Sequence, residues 1–210
     1  MRIYEKLSSR TGGKGEEAEV NLAILLAEKP DPQALQELLE GLKSIDKALQ
    51  ADCIKVLYEI GYRDPQQIAP FASDFLPLLN SKNNRMVWGG MIALSTIASR
   101  SADTLFPHLE QILKTFEKGS VITKDAGVSV LAGIASSNPE YATKILPMLF
   151  EHLKNCRPSS VAQHAERASV AIRPPHYDAF RTILQNRLPD LSENQTRRVK
   201  KLIKQFTKMA

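Results

Sequence analysis

Apolar residues recur along this chain in a pattern that repeats three times. Residues 53–60, 90–97 and 127–134 all follow the order small-x-x-aliphatic-Leu-x-x-Ile, and successive copies start 37 positions apart. After each copy, further apolar residues return at gaps of three and four, which places them on one face of a helix. A fixed period of this length predicts a solenoid in which each unit is a pair of amphipathic helices.

Weaker copies of the pattern flank the clear ones, as expected for terminal repeats that have only one neighbour. Leu22 and Leu26 belong to the upstream copy, and Ala165, Ala168 and Ile172 belong to the downstream copy. No segment alternates with period two over a useful length, so we predict no sheet. The sequence therefore predicts an all-α fold, a right-handed α-α superhelix of about five helical hairpins.

We predict one elongated domain of 210 residues with three parts. Residues 1–15 form an N-terminal segment with a flexible glycine loop, residues 16–190 hold the repeats, and residues 191–210 form a basic capping helix. Ser192 and Gln195 fit a capping box at the start of that helix. Its apolar stripe consists of Val199, Leu202, Ile203, Phe206 and Met209.

Composition narrows the class of protein. No apolar run reaches the roughly 20 residues that a bilayer requires, and residues 1–14 lack the apolar core of a signal peptide. Two cysteines give no disulfide framework, and Cys53 occupies the small-residue position of the repeat. We therefore expect no membrane span and a cytoplasmic location.

Residues 70–99 carry the strongest likeness to a known family. They read P-x4-F-L-P-L-L, then Asn83-Asn84, then M-V-W-G-G-M-I-A-L-S-T-I-A-S. This segment resembles a HEAT or armadillo-type helical repeat, and the likeness extends over about residues 16–190. Of the acidic and basic residues that this family pairs within each unit, the chain keeps only Glu117 with Lys124. The chain is also similar to small prokaryotic HEAT-like proteins, a likeness that implies an architecture and no function.

The resemblance implies that the second helix of each unit lines a concave face. These helices are expected near residues 46–61, 84–99, 121–136 and 159–172. Side chains there that point away from the core form the candidate binding surface for another protein or peptide. They are Trp88, Met91, Lys124, Asp125, Gln163, Glu166 and Arg167, together with Lys55, Tyr58, Arg85, Ser95 and Val128.

Trp88 is the only tryptophan, and two explanations of it stay open. At the surface it would be a typical anchor for a partner, whereas in the core it would pack between adjacent units. Trp88, Asp125 and Gln163 hold equivalent positions in successive units, so we expect them to align. Residues 86–99 and 126–137 contain no charged side chain. These helices are therefore either covered on all sides or able to receive an apolar partner such as an amphipathic helix.

Positive charge is concentrated at the end of the chain. Residues 181–210 contain eight Lys or Arg and two acidic residues. A polar capping face explains this structurally, and contact with phosphates or an acidic surface explains it functionally. The candidate basic site consists of Arg197, Arg198, Lys200, Lys201, Lys204 and Lys208. Nucleic acid is a candidate partner for this helix, and a homodimer is also left open.

The sequence contains no complete motif for catalysis or metal binding. Residues 11–15 resemble a phosphate loop only in their glycines and Lys14, because the Ser or Thr that must follow the lysine is replaced by Gly15. We find no ligand spacing among the candidate metal ligands, which are His108, His152, His164, His176 and Cys156. We therefore predict no metal site and no cofactor.

One enzyme class stays open as an alternative. Alkylpurine DNA glycosylases are small basic HEAT-like solenoids, and the resemblance would give Trp88, Asp125 and Arg167 the roles of base platform, catalytic carboxylate and cation. The scarcity of cations in the predicted groove and an aromatic content of 6% weigh against this assignment. We predict a non-enzymatic protein–protein interaction scaffold, and the alternative is a nucleic-acid-binding solenoid with or without glycosylase activity.

Overall fold

The computed structural model describes residues 3–13 and 15–208, and every regular element within these ranges is a helix. The α-helices are α1 (Ser8–Thr11), α2 (Glu17–Glu28), α3 (Pro32–Gly41), α4 (Lys47–Arg63), α5 (Pro65–Ile68), α6 (Ala72–Phe75), α7 (Asn84–Ile97), α8 (Ala102–Leu105), α9 (Leu109–Lys118), α10 (Val121–Ser137), α11 (Pro139–Asn155), α12 (Pro158–Ala168), α13 (Tyr177–Arg187) and α14 (Glu193–Lys208). Short 3₁₀ helices lie at Ile3–Lys6, Ala69–Phe71, Leu76–Asn80, Phe106–His108, Ser169–Ala171, Pro174–His176 and Leu188–Asp190. The predicted all-α class is confirmed, and the predicted second helices correspond to α4, α7, α10 and α12. No helix in the described ranges combines the length and apolar character needed to cross a membrane.

The chain divides between Gly127 and Val128, within α10, into two compact units. The first unit extends to Gly127, and the second begins at Val128. The assignment of all residues to one elongated domain stays a prediction.

The core of the first unit forms where α2, α3 and α7 pack against α4. Leu22 and Leu26 of α2, Leu38 of α3 and Leu57 of α4 are all buried. Aspartates position the helix starts: the side chain of Asp46 accepts hydrogen bonds from the backbone N–H groups at the start of α4, and Asp31 does the same for α3. Such caps satisfy donors that lack a partner within the helix.

The small-residue position of the repeat marks a close approach between helices. Cys53 is fully buried, and a Cβ added to Gly41 would lie 2.4 Å from its sulfur. A Cβ at Gly90 would lie 2.9 Å from the Cβ of Leu78, and one at Gly127 would lie 2.7 Å from the ring of Phe116. Each of these contacts leaves room only for a small residue on one side.

Prolines interrupt the first helices of two units, which the apolar pattern predicts as continuous. Pro70 and Pro77 lie in 3₁₀ turns on either side of α6, and Pro107 lies in the 3₁₀ turn between α8 and α9. A proline removes a backbone donor and clashes with the preceding turn, so the chain rewinds there. The apolar face survives the change, because Ile68 and Phe75 are fully buried.

The described part of the N-terminal segment is anchored to the helices of the first unit. Leu7 is fully buried, the Tyr4 hydroxyl donates to the carbonyl of Glu37 at 2.6 Å, and the Ser9 N–H donates to Asp52 at 2.8 Å. The glycine loop follows α1, with Gly12 and Gly15 both at positive φ. Lys14 lies outside the described residues.

The second unit is built around α14, which packs against α12 and α13. The rings of Tyr177 and Phe180 on α13 lie 5.2 and 5.1 Å from the ring of Phe206 on α14. Val199 and Leu202 complete the buried stripe of α14, whereas Met209 lies outside the described residues. At the start of this helix, Gln195 accepts hydrogen bonds from the backbone N–H and the hydroxyl of Ser192.

Candidate functional site

Met91 does not belong to the candidate binding surface. It is fully buried, as is Val128, so the prediction that these side chains face a partner is wrong. Met91 lies three residues before Leu94, and both side chains are buried on the same face of α7. The outward face of this helix instead carries Arg85, Trp88, Ile92 and Ser95, which are only partly covered.

Lys55 and Tyr58 are also buried, at 8% and 5% exposure, so the prediction that they face a partner is wrong as well. The remaining predicted contact residues are partly exposed. In the first unit these are Arg85, Trp88, Ser95, Lys124 and Asp125, and in the second unit they are Gln163, Glu166 and Arg167. Asp125 and Arg167 each already have a partner. The alignment of Trp88, Asp125 and Gln163 along one surface stays a prediction.

Trp88 lies within a cluster of aromatic and charged side chains on α4 and α7. The guanidinium carbon of Arg85 is 4.2 Å from the centre of the Trp88 ring system. The ring of Tyr58 lies 6.5 Å from Trp88 and 6.1 Å from Tyr62, and Tyr62 is 61% exposed. We call this surface the α4–α7 patch, and its members are Glu16, Lys55, Tyr58, Glu59, Tyr62, Arg63, Arg85 and Trp88.

A continuous chain of ion pairs crosses the α4–α7 patch. Arg63 pairs with Glu59 at 2.5 Å, and Glu59 pairs with Lys55 at 3.0 Å. Lys55 then reaches Glu16 at 2.9 Å, and Glu16 pairs with Arg85 at 2.6 Å. Both carboxylates therefore have two cationic partners each, and the five charged groups carry one net positive charge.

These pairs change the ionisation of the groups that form them. Hydrogen bonds from Lys55 and Arg85 lower the pKa of Glu16. Burial opposes ionisation of Glu59, but hydrogen bonds from Arg63 and Lys55 outweigh it and lower the pKa of that carboxyl. Burial also opposes the charge on Lys55, and its bonds to Glu16 and Glu59 more than compensate, so the pKa of Lys55 is raised. Glu16, Glu59 and Lys55 are therefore all charged near neutral pH.

The hydrogen-bonding capacity that remains in the α4–α7 patch is mainly that of donors. The carboxylates of Glu16 and Glu59 are occupied by cations, whereas the buried Nε of Arg85 has no hydrogen-bond partner among the described residues.

Glu16 and Arg63 were not among the residues singled out from the sequence. The i, i+4 spacing of Lys55, Glu59 and Arg63 is a signal that could have found part of the cluster.

In the second unit, an ion pair connects the predicted concave surface to the basic C-terminal helix. The Nε and a terminal nitrogen of Arg198 on α14 donate to the two carboxylate oxygens of Glu166 on α12, at 2.9 and 2.5 Å. The hydrogen bonds from Arg198 lower the pKa of Glu166. Arg198 thus links α14 to α12.

The remaining cations of the candidate basic site form an exposed stripe on α14. Arg197, Lys200, Lys201, Lys204 and Lys208 are all exposed and follow helical spacing along one face. Within this stripe, Arg197 has a weak contact with Glu193 at 3.6 Å, where both side chains are largely exposed. The stripe faces away from the buried residues Val199, Leu202 and Phe206.

A cluster of potential metal ligands lies where α11 meets α12. His152, Cys156 and His164 each offer one ligand atom, and these three atoms lie within 4.8 Å of one another. The prediction that these residues lack ligand spacing is wrong, because the fold brings the three ligand atoms together. His152 and Cys156 are separated by one helical turn, and the turn after Cys156 returns the chain so that α12 brings His164 beside them.

Comparisons with known proteins identify the fold. No family model and no curated protein matches the sequence. An engineered protein from the Northeast Structural Genomics Consortium matches 99% of this chain and 98% of its own, with a TM-score of 0.69 and 20% identity. A designed armadillo repeat protein in complex with the peptide (KR)4 matches 97% of this chain and 98% of its own, with a TM-score of 0.67 and 17% identity.

A natural protein shows the same likeness over part of its length. Kap121p, in its structure bound to Pho4p, matches 95% of this chain with a TM-score of 0.63 and 16% identity, over 22% of the Kap121p chain. Identities this low establish the fold alone. The chain therefore has the fold of armadillo and HEAT-like helical repeat proteins, as the repeat pattern predicts.

Proposed function

We propose that this chain is a non-enzymatic protein-interaction module that binds a peptide segment across the α4–α7 patch. The observation that carries the proposal is the position of Trp88. It is only partly covered, and it belongs to a helix whose outward face continues with Ile92. Its ring lies 6.5 Å from that of the buried Tyr58, which in turn lies 6.1 Å from the exposed Tyr62. Partly exposed tryptophan and tyrosine beside an arginine are the residue types that contribute most to protein–protein binding.

The charges of the α4–α7 patch favour a partner segment with a carboxylate. Glu16 and Glu59 are each neutralised by two cations of the patch, so a basic partner would have to displace Lys55, Arg63 or Arg85. An acidic residue can instead pair with the guanidinium groups of Arg63 and Arg85, whose side chains are 31% and 29% exposed. An aliphatic or aromatic residue next to it would pack on Trp88 and Ile92.

The structural neighbours support binding of a protein segment as the general function. One neighbour is a designed armadillo protein in complex with (KR)4, and another is Kap121p bound to Pho4p. The charge of the proposed partner is different here, because (KR)4 is basic while the α4–α7 patch has net positive charge. The glycosylase alternative is disfavoured by Arg85, which stacks on Trp88 where a base would have to lie.

A displayed random-peptide library selected against the full chain tests the proposal. We expect enriched peptides to combine an acidic with an apolar residue, and to bind the Trp88→Ala variant roughly 30-fold more weakly, as expected for loss of about 2 kcal/mol at an interface anchor. Tyr62→Ala, at a position that is 61% exposed, provides a second variant with little risk to folding. Ile45→Ala is the matched control, because Ile45 is fully exposed and precedes the start of α4, about three helical turns before Tyr58.

Two results would contradict the proposal. The binding site is wrong if the selected peptides bind both Trp88→Ala and Tyr62→Ala as tightly as the wild type. The charge assignment is wrong if the peptides lost by Trp88→Ala are basic. Circular dichroism of each variant shows whether a loss of binding reflects a loss of fold.

A second candidate function rests on the cationic stripe of α14. Five exposed Lys and Arg on one helical face suit a polyanion such as nucleic acid. Fluorescence anisotropy with a mixed-sequence DNA duplex tests this function: the affinity should fall steeply with salt and should drop when Lys200, Lys201 and Lys204 are replaced by Gln. Trp88→Ala should leave such binding unchanged. Absence of binding at low salt would remove this candidate.

A further inference from the structure

The end of α11 and the second turn of α12 bring two histidines and a cysteine together. His152 lies in the last turn of α11, Cys156 caps that helix, and His164 lies on α12. The Nε2 of His152 is 2.8 Å from the Nδ1 of His164, and the two rings are 4.9 Å apart between centres. The sulfur of Cys156 completes a group of three ligand atoms within 4.8 Å of one another.

The spacing of these atoms is close to that of a tetrahedral zinc site. With Zn–N bonds of about 2.0–2.1 Å and a Zn–S bond of about 2.3 Å, two nitrogen ligands lie about 3.3 Å apart and a nitrogen and a sulfur about 3.6 Å apart. The two nitrogens, at 2.8 Å, would therefore move apart by about half an ångström, and the sulfur would move in by no more than about 1.2 Å. Changes of this size need side-chain rotation and no change in the backbone.

The backbone that carries the cluster is held firmly from outside it. Arg187 on α13 is buried and donates hydrogen bonds to the carbonyls of Leu153, Lys154 and Cys156 at 2.5, 2.8 and 2.8 Å. These bonds fix the end of α11, from which both His152 and Cys156 project. His164 is 2% exposed on α12, so its ring is confined by its surroundings.

The donor set selects the kind of metal. Imidazole nitrogen and thiolate sulfur bind zinc well, whereas calcium and magnesium require oxygen ligands. Among the residues that the structure describes, the cluster contains two nitrogens and one sulfur and no carboxylate. Three protein ligands leave one tetrahedral position for water or an external ligand.

We propose that His152, Cys156 and His164 form a binding site for Zn²⁺. On binding, the Cys156 thiol releases its proton to solvent and coordinates as thiolate. The proton shared between His152 and His164 moves to a ring nitrogen that faces away from the metal, so each histidine coordinates as a neutral imidazole through His152 Nε2 and His164 Nδ1. The metal then links α11 to α12 and stabilises the folded chain over the unfolded one.

Cobalt titration of the full, metal-free chain is the direct test, because Co²⁺ reports its ligands by absorption. We expect one equivalent of Co²⁺ to give the intense visible bands of a tetrahedral site and a thiolate-to-cobalt charge-transfer band in the near ultraviolet, both abolished by Zn²⁺. Cys156→Ala should lose the charge-transfer band and bind at least about 100-fold more weakly, and His152→Asn should also weaken binding. Cys53→Ala and His108→Asn are the matched controls and should bind as the wild type does.

A second measurement uses only the wild-type chain and so does not depend on how the variants fold. Zn²⁺ should protect Cys156 from alkylation, as mapped by mass spectrometry, and should raise the Tm. The proposal is overturned if the wild type binds Co²⁺ and Zn²⁺ no better than Cys156→Ala does, or if bound Co²⁺ shows no charge-transfer band. Either result would leave His152 and His164 as a hydrogen-bonded pair.

Discussion

Arg198 and Glu166 join the C-terminal helix to the preceding repeat through two parallel hydrogen bonds. The nitrogens of Arg198 lie 2.9 and 2.5 Å from the two carboxylate oxygens of Glu166, and the residues are 32 positions apart. A guanidinium matches a carboxylate in this two-point geometry, which a lysine cannot reproduce. The basic helix is therefore joined to α12 by a specific contact in addition to its buried stripe of Val199, Leu202 and Phe206.

Removing this contact should cost a modest amount of stability. The two side chains are 41% and 40% exposed, so we expect a coupling of about 0.5–1 kcal/mol, at the upper end of what exposed pairs contribute. A double-mutant cycle with Arg198→Ala and Glu166→Gln, followed by urea unfolding, measures it. Arg197→Ala is the control, because its contact with Glu193 is long and exposed. Equal effects of Arg197→Ala and Arg198→Ala would contradict the assignment.

The same pair should lose its effect in acid. Because the pKa of Glu166 is lowered in the folded chain, the stabilisation is complete above the ordinary value of 4.5 and is lost as the pH falls through the folded value. The coupling from the cycle should therefore be constant near neutral pH and decline below about pH 4.5. A coupling that persists at pH values where Glu166 is protonated would show that this contact is stabilised by packing rather than by an ion pair.

Lys55 gives the opposite pH dependence. Its side chain is 10% exposed between Glu16 and Glu59, and we expect Lys55→Met to cost about 1–2 kcal/mol, because both carboxylates keep an arginine partner. The raised pKa of Lys55 means that its contribution is complete below the ordinary value of 10.5 and is lost as the pH rises through the folded value.

Lys47→Met on the same helix is the control for that measurement. Lys47 is exposed, so its replacement should change the free energy of unfolding by no more than about 0.5 kcal/mol. Urea unfolding of both variants and the wild type, at neutral pH and at a series of alkaline pH values, compares the two positions. A difference between Lys55→Met and the wild type that is the same at every pH would show that the loss comes from packing.

Arg187 is expected to be the most sensitive charged position of the second unit. It is buried, donates to three backbone carbonyls at the end of α11 and pairs with Asp190 at 3.0 Å. Arg187→Ala removes the guanidinium donors from these carbonyls, and we expect a loss of about 3 kcal/mol in the free energy of unfolding. Arg187→Lys should recover only part of it, because one ammonium cannot replace the planar guanidinium.

Arg181→Ala is the control for Arg187 on the same helix. Arg181 pairs with Asp178, whose side chain is 84% exposed, and such pairs contribute little. Urea unfolding should therefore show a small change for Arg181→Ala beside a large one for Arg187→Ala. Similar losses at both positions would mean that α13 is stabilised mainly by its apolar contacts.

The sequence predicts the local features of this fold well because they depend on neighbours along the chain. The 37-residue period indicates the second helices, and the recurring small residue marks where helices approach closely, as at Gly90 and Gly127. The prolines at positions 70, 77 and 107 signal the interruptions of the first helices. The apolar pattern continues across these prolines, and a prediction based on it gives unbroken helices. Residues at a helix face boundary are harder, since one step of 100° separates the buried Met91 from the partly exposed Ile92.

The candidate sites depend on contacts between residues far apart in sequence, which periodicity does not encode. Glu16 reaches Arg85 across 69 positions, so the chain of ion pairs on the α4–α7 patch could not be assembled from spacing alone. His152 meets His164 only because the chain turns between α11 and α12. The i, i+4 spacing of His152 and Cys156 is visible in the sequence. It indicates a candidate metal site only together with His164, whose position beside them the sequence does not show.

Gly90 offers the sharpest test of the close helix packing inferred from the repeat. In an exposed helix, Gly→Ala would stabilise by about 1 kcal/mol through helix propensity. At Gly90 the new Cβ would lie 2.9 Å from the Cβ of Leu78 and 3.4 Å from the carbonyl oxygen of Phe75. Overpacking of this kind costs about 1–3 kcal/mol, so we expect Gly90→Ala to lower the Tm despite the better propensity. Ser95→Ala, on the outward face of the same helix, should leave it nearly unchanged, and a Tm raised by Gly90→Ala would show that the small residue of the repeat is not required by packing.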